Sequence, residues 1–525
     1  MGAVVLLSPD TCNKLQTSVF SANSSDVASP YEYNRGTGSP HYGYSKGLYE
    51  YDDDDDDVAY TGRSLLHNIL VGLFYTVAML AALYFFMVAV KFIESGFTVA
   101  LGCDAKGAFT IANNPLAGLV LGLVSTALLH SSSTITSITV TLVATQGLTI
   151  RQGVFIVMGA NIGTCVTCIV VAFGQIQTRS RFQRAMEAAT VHTMFNVWSV
   201  FIMFPLEVIF HPLERLSVLM SDAKTSGGSF ASPVDAVIKP FSSLLIRVDT
   251  QSIMDITSGK KQCTSDVSLL SGGAFEGSSL SDGQIGVIVV VIGFLMLAAS
   301  LIWFIQMLAK VFLGPTKVLV SRMLAFNGYI NIIAGAMITF VVQSSTVVTC
   351  TLTPMAGLGV FTLDQVYPLI VGANLGTCGT ALLASLVVGD KQAVAVALAH
   401  LWFNVFGIVL FYLIPFMRRP ILSWARSIAY FSASWAGVGI AFIFMVYLIL
   451  PGVLLGLEQL CTASKTGLPM LGYVLSGLGV LVFIGVLFWY NYRGGRNRWH
   501  TFLEHKYAER EERRHRDETA MLSEV

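Results

Sequence analysis

Gly159-Ala160-Asn161-Ile162-Gly163-Thr164-Cys165-Val166-Thr167 returns 213 residues later as Gly372-Ala373-Asn374-Leu375-Gly376-Thr377-Cys378-Gly379-Thr380. The same offset carries Ser131-Ser132 onto Ser344-Ser345 and Thr136 onto Thr349. Further on, His192-x-x-x-Asn196 pairs with His400-x-x-x-Asn404 at an offset of 208, and the five lost residues fall in a connecting loop. The chain therefore reads as two related halves.

Working outward, the surroundings are apolar. Of 525 residues, 54% are hydrophobic and 12% charged, and the mean hydropathy is +0.66, whereas a soluble domain carries about 25% charged residues. Apolar segments are predicted at 66–92, 115–129, 134–148, 152–173, 185–210, 285–313, 326–342, 346–358, 364–388, 393–417, 428–450 and 468–490. A helix needs ~20 apolar residues to cross a ~30 Å hydrocarbon layer. The segments 115–129, 134–148, 326–342 and 346–358 fall short. They form two pairs, broken by His130-Ser131-Ser132-Ser133 and by Gln343-Ser344-Ser345-Thr346. Two short helices around a polar break predict a re-entrant hairpin, tolerated where it is buried in protein or lines a cavity.

With each pair returning to its own side, eight full spans remain, and positive charge orients them. Arg179, Arg181 and Arg184, then Lys310, Lys317 and Arg322, then Arg418, Arg419 and Arg426, and finally Arg493, Arg496 and Arg498 fall on one side, read as cytoplasmic. Only Lys106, Lys391 and Lys465 fall in the short loops opposite. The expected fold is an all-α polytopic membrane protein with two inverted repeats, each with a re-entrant helical hairpin, and both termini cytoplasmic. The expected organisation is a disordered acidic tail over 1–64, containing the run Asp52 to Asp57; a first repeat over 65–210; an extracellular loop over 211–282; a second repeat over 283–417; C-terminal transmembrane helices over 418–490; and a cytoplasmic tail over 491–525. Inverted repeats with broken helices are the architecture of secondary transporters, which hold substrate near the midplane.

The residues at the breaks suit ions. Half-helix N-termini offer free N–H groups and a positive dipole end to anions, and Ser131, Ser132, Ser133, Ser344, Ser345 and Thr346 add hydroxyl donors. No Lys or Arg lies in 115–148 or 326–358, so a buried multivalent anion calls for a co-bound cation. Asn161, Thr164, Asn196, Asn374, Thr377, Asn404 and Gln343, with His130 at the position matching Gln343, form the candidate cation ligands. Hard oxygens suit sodium. This chemistry favours an anion with sodium and leaves the anion open. Cys165 and Cys168 have C-x-x-C spacing, but no second pair follows, so no metal other than sodium and no cofactor is expected. Zero net charge, confined to tails and loops, argues against nucleic acid. No paired carboxylates or Ser/His/Asp set marks an enzyme.

At these motifs the chain resembles the type II sodium-dependent inorganic phosphate cotransporters, solute carrier family 34. The likeness is carried by His130-Ser131-Ser132-Ser133-Thr134 with Met158 through Thr164, by Ala189-Thr190-Val191-His192 with Phe195-Asn196 and Pro205-Leu206-Glu207, and by Gln343-Ser344-Ser345-Thr346, Tyr367-Pro368-Leu369, Gly372 through Thr377, Ala399-His400 and Phe403-Asn404. It covers about 66–490. It implies a plasma-membrane symporter of sodium and inorganic phosphate, working by alternating access, with both ions bound between the hairpins, and a homodimer of independent protomers. The chain departs from the family pattern at His130, in place of Gln; at Thr346, in place of Ser; and at Thr193, where electrogenic members carry Asp and electroneutral ones Gly. Thr193 adds no carboxylate, so electroneutral transport is expected. The rivals are a carrier of another oxyanion (sulfate, arsenate), a channel or a nutrient receptor. Ser523-Glu524-Val525 fits a C-terminal ligand of a PDZ domain.

Overall fold

The computed structural model describes residues 65–101, 114–144, 146–221, 233–257, 261–262, 268–311, 327–388, 390–463 and 467–523. The readings for 1–64, Lys106, Lys317, Arg322, Lys465, Glu524 and Val525 lie outside them. The chain divides into two units, Met1–Val77 and Ala78–Val525. The first contributes only the opening turns of one helix to the described residues; the second holds the buried core.

The order is α1 Leu65–Leu101, α2 Pro115–Leu129, α3 Ser132–Ala144, α4 Ile150–Gly163, α5 Val166–Phe173, α6 Arg179–Phe210, α7 Pro212–Met220, α8 Pro233–Leu245, β1 Arg247–Val248, α9 Thr250–Thr257, β2 Leu270–Gly272, α10 Asp282–Val311, α11 Gly328–Val342, α12 Ser345–Gly357, α13 Leu363–Val388, α14 Lys391–Ile408, α15 Pro415–Ser434, α16 Ala436–Phe444, α17 Leu450–Cys461, α18 Leu468–Tyr492 and α19 Gly495–Ser523. π-helical turns, Val409–Leu413 and Met445–Ile449, follow α14 and join α16 to α17. Among the described residues, eight helical stretches are long and apolar enough to cross a membrane. The protein is a multi-pass membrane protein, and the eight stretches answer to the eight spans expected. α18 buries only Gly472, as a helix apolar all round does when it faces lipid.

The offset of 213 reappears in the helix ends. α2 and α11 have 15 residues each, α3 and α12 have 13, and every boundary matches. The local chemistry explains this. Asn114 and Asn327 cap α2 and α11 by accepting from Ala117 N and Tyr329 N. His130 and Gln343 then stop them in the left-handed region, at φ 54° and 58°. Non-glycine residues rarely adopt that conformation, and polar ones do so most readily. Thr149 with Gln152 and Thr362 with Gln365 form the same N-terminal pairing ahead of α4 and α13.

The packing repeats as well. α2 lies along α4 and α11 along α13, while α3 packs on α13 and α14, and α12 on α5 and α6. Each second half-helix thus rests on the motif helices of the other half. At one end of these helices Asn114 Nδ2 donates to Glu458 Oε1 at 2.7 Å, and α7 packs on α14. At another, Gln175 Nε2 donates to Pro354 O and Arg184 Nε to Gly357 O, fastening the end of α12 beside the start of α6.

Two expected extents differ, and one stretch is more structured than expected. The first span does not stop at 92 but runs to Leu101, because Lys91 and Glu94 pair within the helix, Nζ to Oε1 3.1 Å. The segment 428–450 is not one span: the chain breaks at Trp435, in extended conformation between α15 and α16, and the crossing stretch is Ala436–Cys461. The polar stretch 211–282 holds α7, α8, α9 and the antiparallel pair β1–β2. Asp249 begins α9 by accepting from Ser252 N and Ser252 Oγ, and the Ser252 hydroxyl holds its carboxyl below the usual range.

The segment read as a plain tail forms α19. It docks through buried Leu503, through Trp435 against Phe502, through Arg179 4.0 Å above the Tyr507 ring, and through Arg510 Nη2 donating to Ile176 O at 2.5 Å. Arg510→Ala is expected to weaken that docking by about 1–2 kcal/mol, one hydrogen bond from a charged donor. Hydrogen exchange in 495–523 should quicken, and unchanged protection would show that the aromatic contacts suffice.

Candidate functional site

The repeated asparagines are joined to the histidines of the opposite half. On α6 and α13, His192 Nε2 lies 2.7 Å from Asn374 Oδ1, and Asn374 Nδ2 donates to Asn196 Oδ1 at 3.0 Å. On α14 and α4, His400 Nε2 lies 3.3 Å from Asn161 Oδ1, and Asn404 Nδ2 lies 3.4 Å from the same oxygen. An amide oxygen only accepts, so both imidazoles carry their proton on Nε2. Asn196 and Asn404 also donate to Cys165 Sγ and Cys378 Sγ, each at 3.2 Å. All six of these His and Asn side chains are buried.

The two copies differ in what remains unused. Thr377 Oγ1 donates to Ala373 O at 3.1 Å, whereas its counterpart Thr164 Oγ1 is buried without a partner. Asn404 Oδ1 is likewise buried and orphaned, while Asn196 Oδ1 accepts from Asn374. Unpaired buried oxygens cost on the order of 1–3 kcal/mol each unless something binds them. A hard cation such as sodium takes oxygen lone pairs of this kind.

The hydroxyl clusters sit at the starts of α3 and α12. Ser132 and Ser345 open their helices and are buried, as is Thr346; Ser133 is half-buried. Ser344 Oγ accepts from Val347 N at 3.3 Å, a bond that leaves its own proton uncommitted. Ser131 is placed differently. Thr134 Oγ1 donates to Glu94 Oε1 at 2.5 Å. Having one proton, Thr134 must accept from Ser131 Oγ, 2.9 Å away. Ser131 also accepts from Thr134 N, so it presents lone pairs rather than a donor. Of the hydroxyls expected to meet an anion, Ser131 is thus one whose proton is already committed within the protein.

His130 does not stand free beside the cluster: its Nδ1 is 2.8 Å from Thr167 Oγ1, and its ring meets Phe294 edge-on. Gln343, at the matching position, is half-buried. Thr193 Oγ1 lies 3.0 Å from Tyr447 OH, on the π-helical turn after α16. Glu187, earlier on the same helix as Thr193, accepts from Gln183 Nε2 at 3.1 Å.

Sequence reasoning missed Glu94 and Tyr447. Glu94 ends an apolar run, and a charge two residues beyond a segment's edge is its only signal. Tyr447 has none. The C-x-x-C pair also gains company from the other half: Cys168 Sγ donates to Thr349 Oγ1 at 3.1 Å and lies 3.8 Å from Cys350 Sγ.

The family model described as Na+/Pi-cotransporter matches residues 63–210 and 295–448, one segment in each half. Sodium-dependent phosphate transport protein 2B of Pongo abelii is 31% identical over 504 residues, covering 82% of this chain and 71% of that protein. Protein 2A of Ovis aries is 32% identical over 432 residues, covering 73% and 67%. Protein 2C of Rattus norvegicus is 33% identical over 480 residues, covering 81% and 79%. No solved structure matches the chain.

Proposed function

Because this chain belongs to the Na+/Pi-cotransporter family, transporters rather than enzymes, we propose that it is a plasma-membrane symporter that imports inorganic phosphate with sodium. The observation that carries the reading is the crossed lattice, in which His192 and Asn196 hold Asn374 while His400 and Asn404 reach Asn161. Ions bound there touch both halves at once, so a relative movement of the halves exposes them first to one side and then to the other.

In this reading the halves are inverted repeats, α2–α3 and α11–α12 are re-entrant hairpins, and both termini are cytoplasmic. Matched helix ends at one offset support the repeat, and the arginine-bearing start of α6 beside the end of α12 supports the inversion. Phosphate is held by N–H groups and hydroxyls at Ser132, Ser133, Ser344, Ser345 and Thr346. Sodium is held by oxygens of Asn161, Thr164, Asn374, Thr377, Asn196, Asn404, Gln343 and Ser131, with His130 a neighbour. The protein needs no cofactor and works as a homodimer of independent protomers. Radiolabelled phosphate uptake with sodium replaced by choline tests the core of this. Uptake that survives the replacement, or that sulfate saturates as well as phosphate does, overturns it.

Transport is electroneutral in this reading: a phosphate dianion travels with two sodium ions. A third would add about 2.3 kcal/mol of driving force per 100 mV and calls for a carboxylate near Thr193, where the structure has a hydroxyl facing Tyr447 OH. Thr193→Asp supplies one, with Tyr447 as a ready donor. The expected outcome under voltage clamp is no phosphate-evoked current in the wild type and an inward current of about one charge per phosphate in the variant. A wild-type current matching uptake one for one would defeat the stoichiometry.

A further inference from the structure

Lys91 and Glu94 form an ion pair inside a membrane-crossing helix. Lys91 Nζ donates to Glu94 Oε1 at 3.1 Å and to Oε2 at 3.2 Å, with the side chains 27% and 14% exposed. An enclosed pair is a poor stabiliser, since apolar residues of like size often do as well or better, and a charge within a membrane span marks function by default. This pair is also one-sided. α10, the helix that precedes the short pair in the second half, carries no Asp, Glu, Lys or Arg between Asp282 and Lys310.

What the pair touches is the first hydroxyl cluster. Glu94 accepts from Thr134 Oγ1, and this obliges Ser131 to give its proton to Thr134 and to present lone pairs. Glu94, Thr134 and Ser131 together form a row of oxygens beside the break, the donor type that binds sodium. A carboxylate there would ordinarily recruit a cation of its own. Lys91 already supplies one, tethered three residues away on the same helix.

We propose that Glu94 is a positioning residue that orients the oxygens of Thr134 and Ser131 toward sodium, and that Lys91 is its resident counter-ion, standing where a further transported cation would otherwise bind. The pair lets the carrier hold a carboxylate at its ion site without adding a charge to the transport cycle. The proposal deepens the electroneutral symport reading and rests on it for the charge count.

The experiment compares wild type, Lys91→Met, Lys91→Arg and Lys91→Met/Glu94→Gln in oocytes, with labelled phosphate uptake and voltage clamp on the same cells and surface biotinylation for normalisation. Lys91→Met bares the carboxylate, so it should carry about one more positive charge per phosphate than wild type, and the Hill coefficient for sodium should rise. Lys91→Arg keeps the counter-ion and should match wild type. In the double variant the Gln amide still accepts from Thr134 and nothing needs neutralising, so the extra charge should vanish. Lys91→Met at the surface with wild-type charge and sodium dependence overturns the proposal, as does an extra charge that persists in the double variant. Where Lys91→Met fails to reach the surface, Glu94→Gln alone decides. It takes the negative charge of Glu94 away from Lys91 beside the cluster and should lower the half-saturating phosphate concentration several-fold, and an unchanged or higher value overturns the proposal. The charge increment is measured against wild type, so a wild-type current would refute the electroneutral reading without removing this test.

Discussion

Adding one methyl group at Gly159 or at Gly372 is expected to remove the protein from the cell surface. The glycines of the repeated motif are where backbones meet. A Cβ at Gly159 would overlap the Leu119 carbonyl on α2, and one at Gly372 would overlap the Ile332 carbonyl on α11. Gly122 and Gly335 face the Ile156 and Leu369 carbonyls in the same way from the partner helices. Small residues allow such approach, and in a membrane close packing is a main source of helix association. The obstructing atoms are backbone, which cannot rotate away, so each helix pair must separate along its whole length. Overpacking typically costs about 1–3 kcal/mol, and these two sites should lie at or above the upper end. Gly477 on α18 has open space around it, and Gly477→Ala should be tolerated. Surface biotinylation with thermal unfolding of the purified variants checks all three. Gly159→Ala at wild-type level and melting temperature would refute the close-approach account.

That outcome bears on what a sequence can tell. The repeat of Gly159 to Thr167 at Gly372 to Thr380 was legible because two copies at one offset reveal a duplicated fold. The polar breaks were legible too, since a half-length apolar run has few other places to go. What Gly159 does was not legible: a glycine spacing suits close helix packing and an ion-lining backbone equally, and only the Leu119 carbonyl facing it decides. The asparagines and histidines were recognisable singly, yet nothing in the spacing of His192 and Asn374 says that each half grips the other rather than itself. Glu94 escaped because hydropathy ends a span where charge begins, while in space Lys91 and Thr134 allow the helix to continue past it. Tyr447 escaped because its partner Thr193 is 254 residues away.

The largest functional effect is expected at the two helix starts. Ser132→Ala and Ser345→Ala should each reduce phosphate uptake by one to two orders of magnitude at limiting phosphate, with surface expression retained. Ser132 and Ser345 are the first residues of α3 and α12, where N–H groups lack intrahelical partners and the dipole end is positive. A hydroxyl donor to a dianion at such a place makes a charge-assisted hydrogen bond, worth about 1.5–3 kcal/mol net, or roughly 10- to 150-fold in affinity. Alanine is nearly isosteric, so packing stays and the half-saturating phosphate concentration should carry the loss. The two sites should also couple. If one phosphate spans both clusters, the double variant should lose less than the product of the single losses, because an anion already released by one cluster has little left to lose at the other. Ser131→Ala gives the contrast. With its proton committed to Thr134, Ser131 has none to offer phosphate, and its removal should raise the sodium requirement more than the phosphate requirement. Normal half-saturation in both Ser132→Ala and Ser345→Ala would take the phosphate away from the helix starts. Strictly multiplicative losses would assign the two clusters to separate ions.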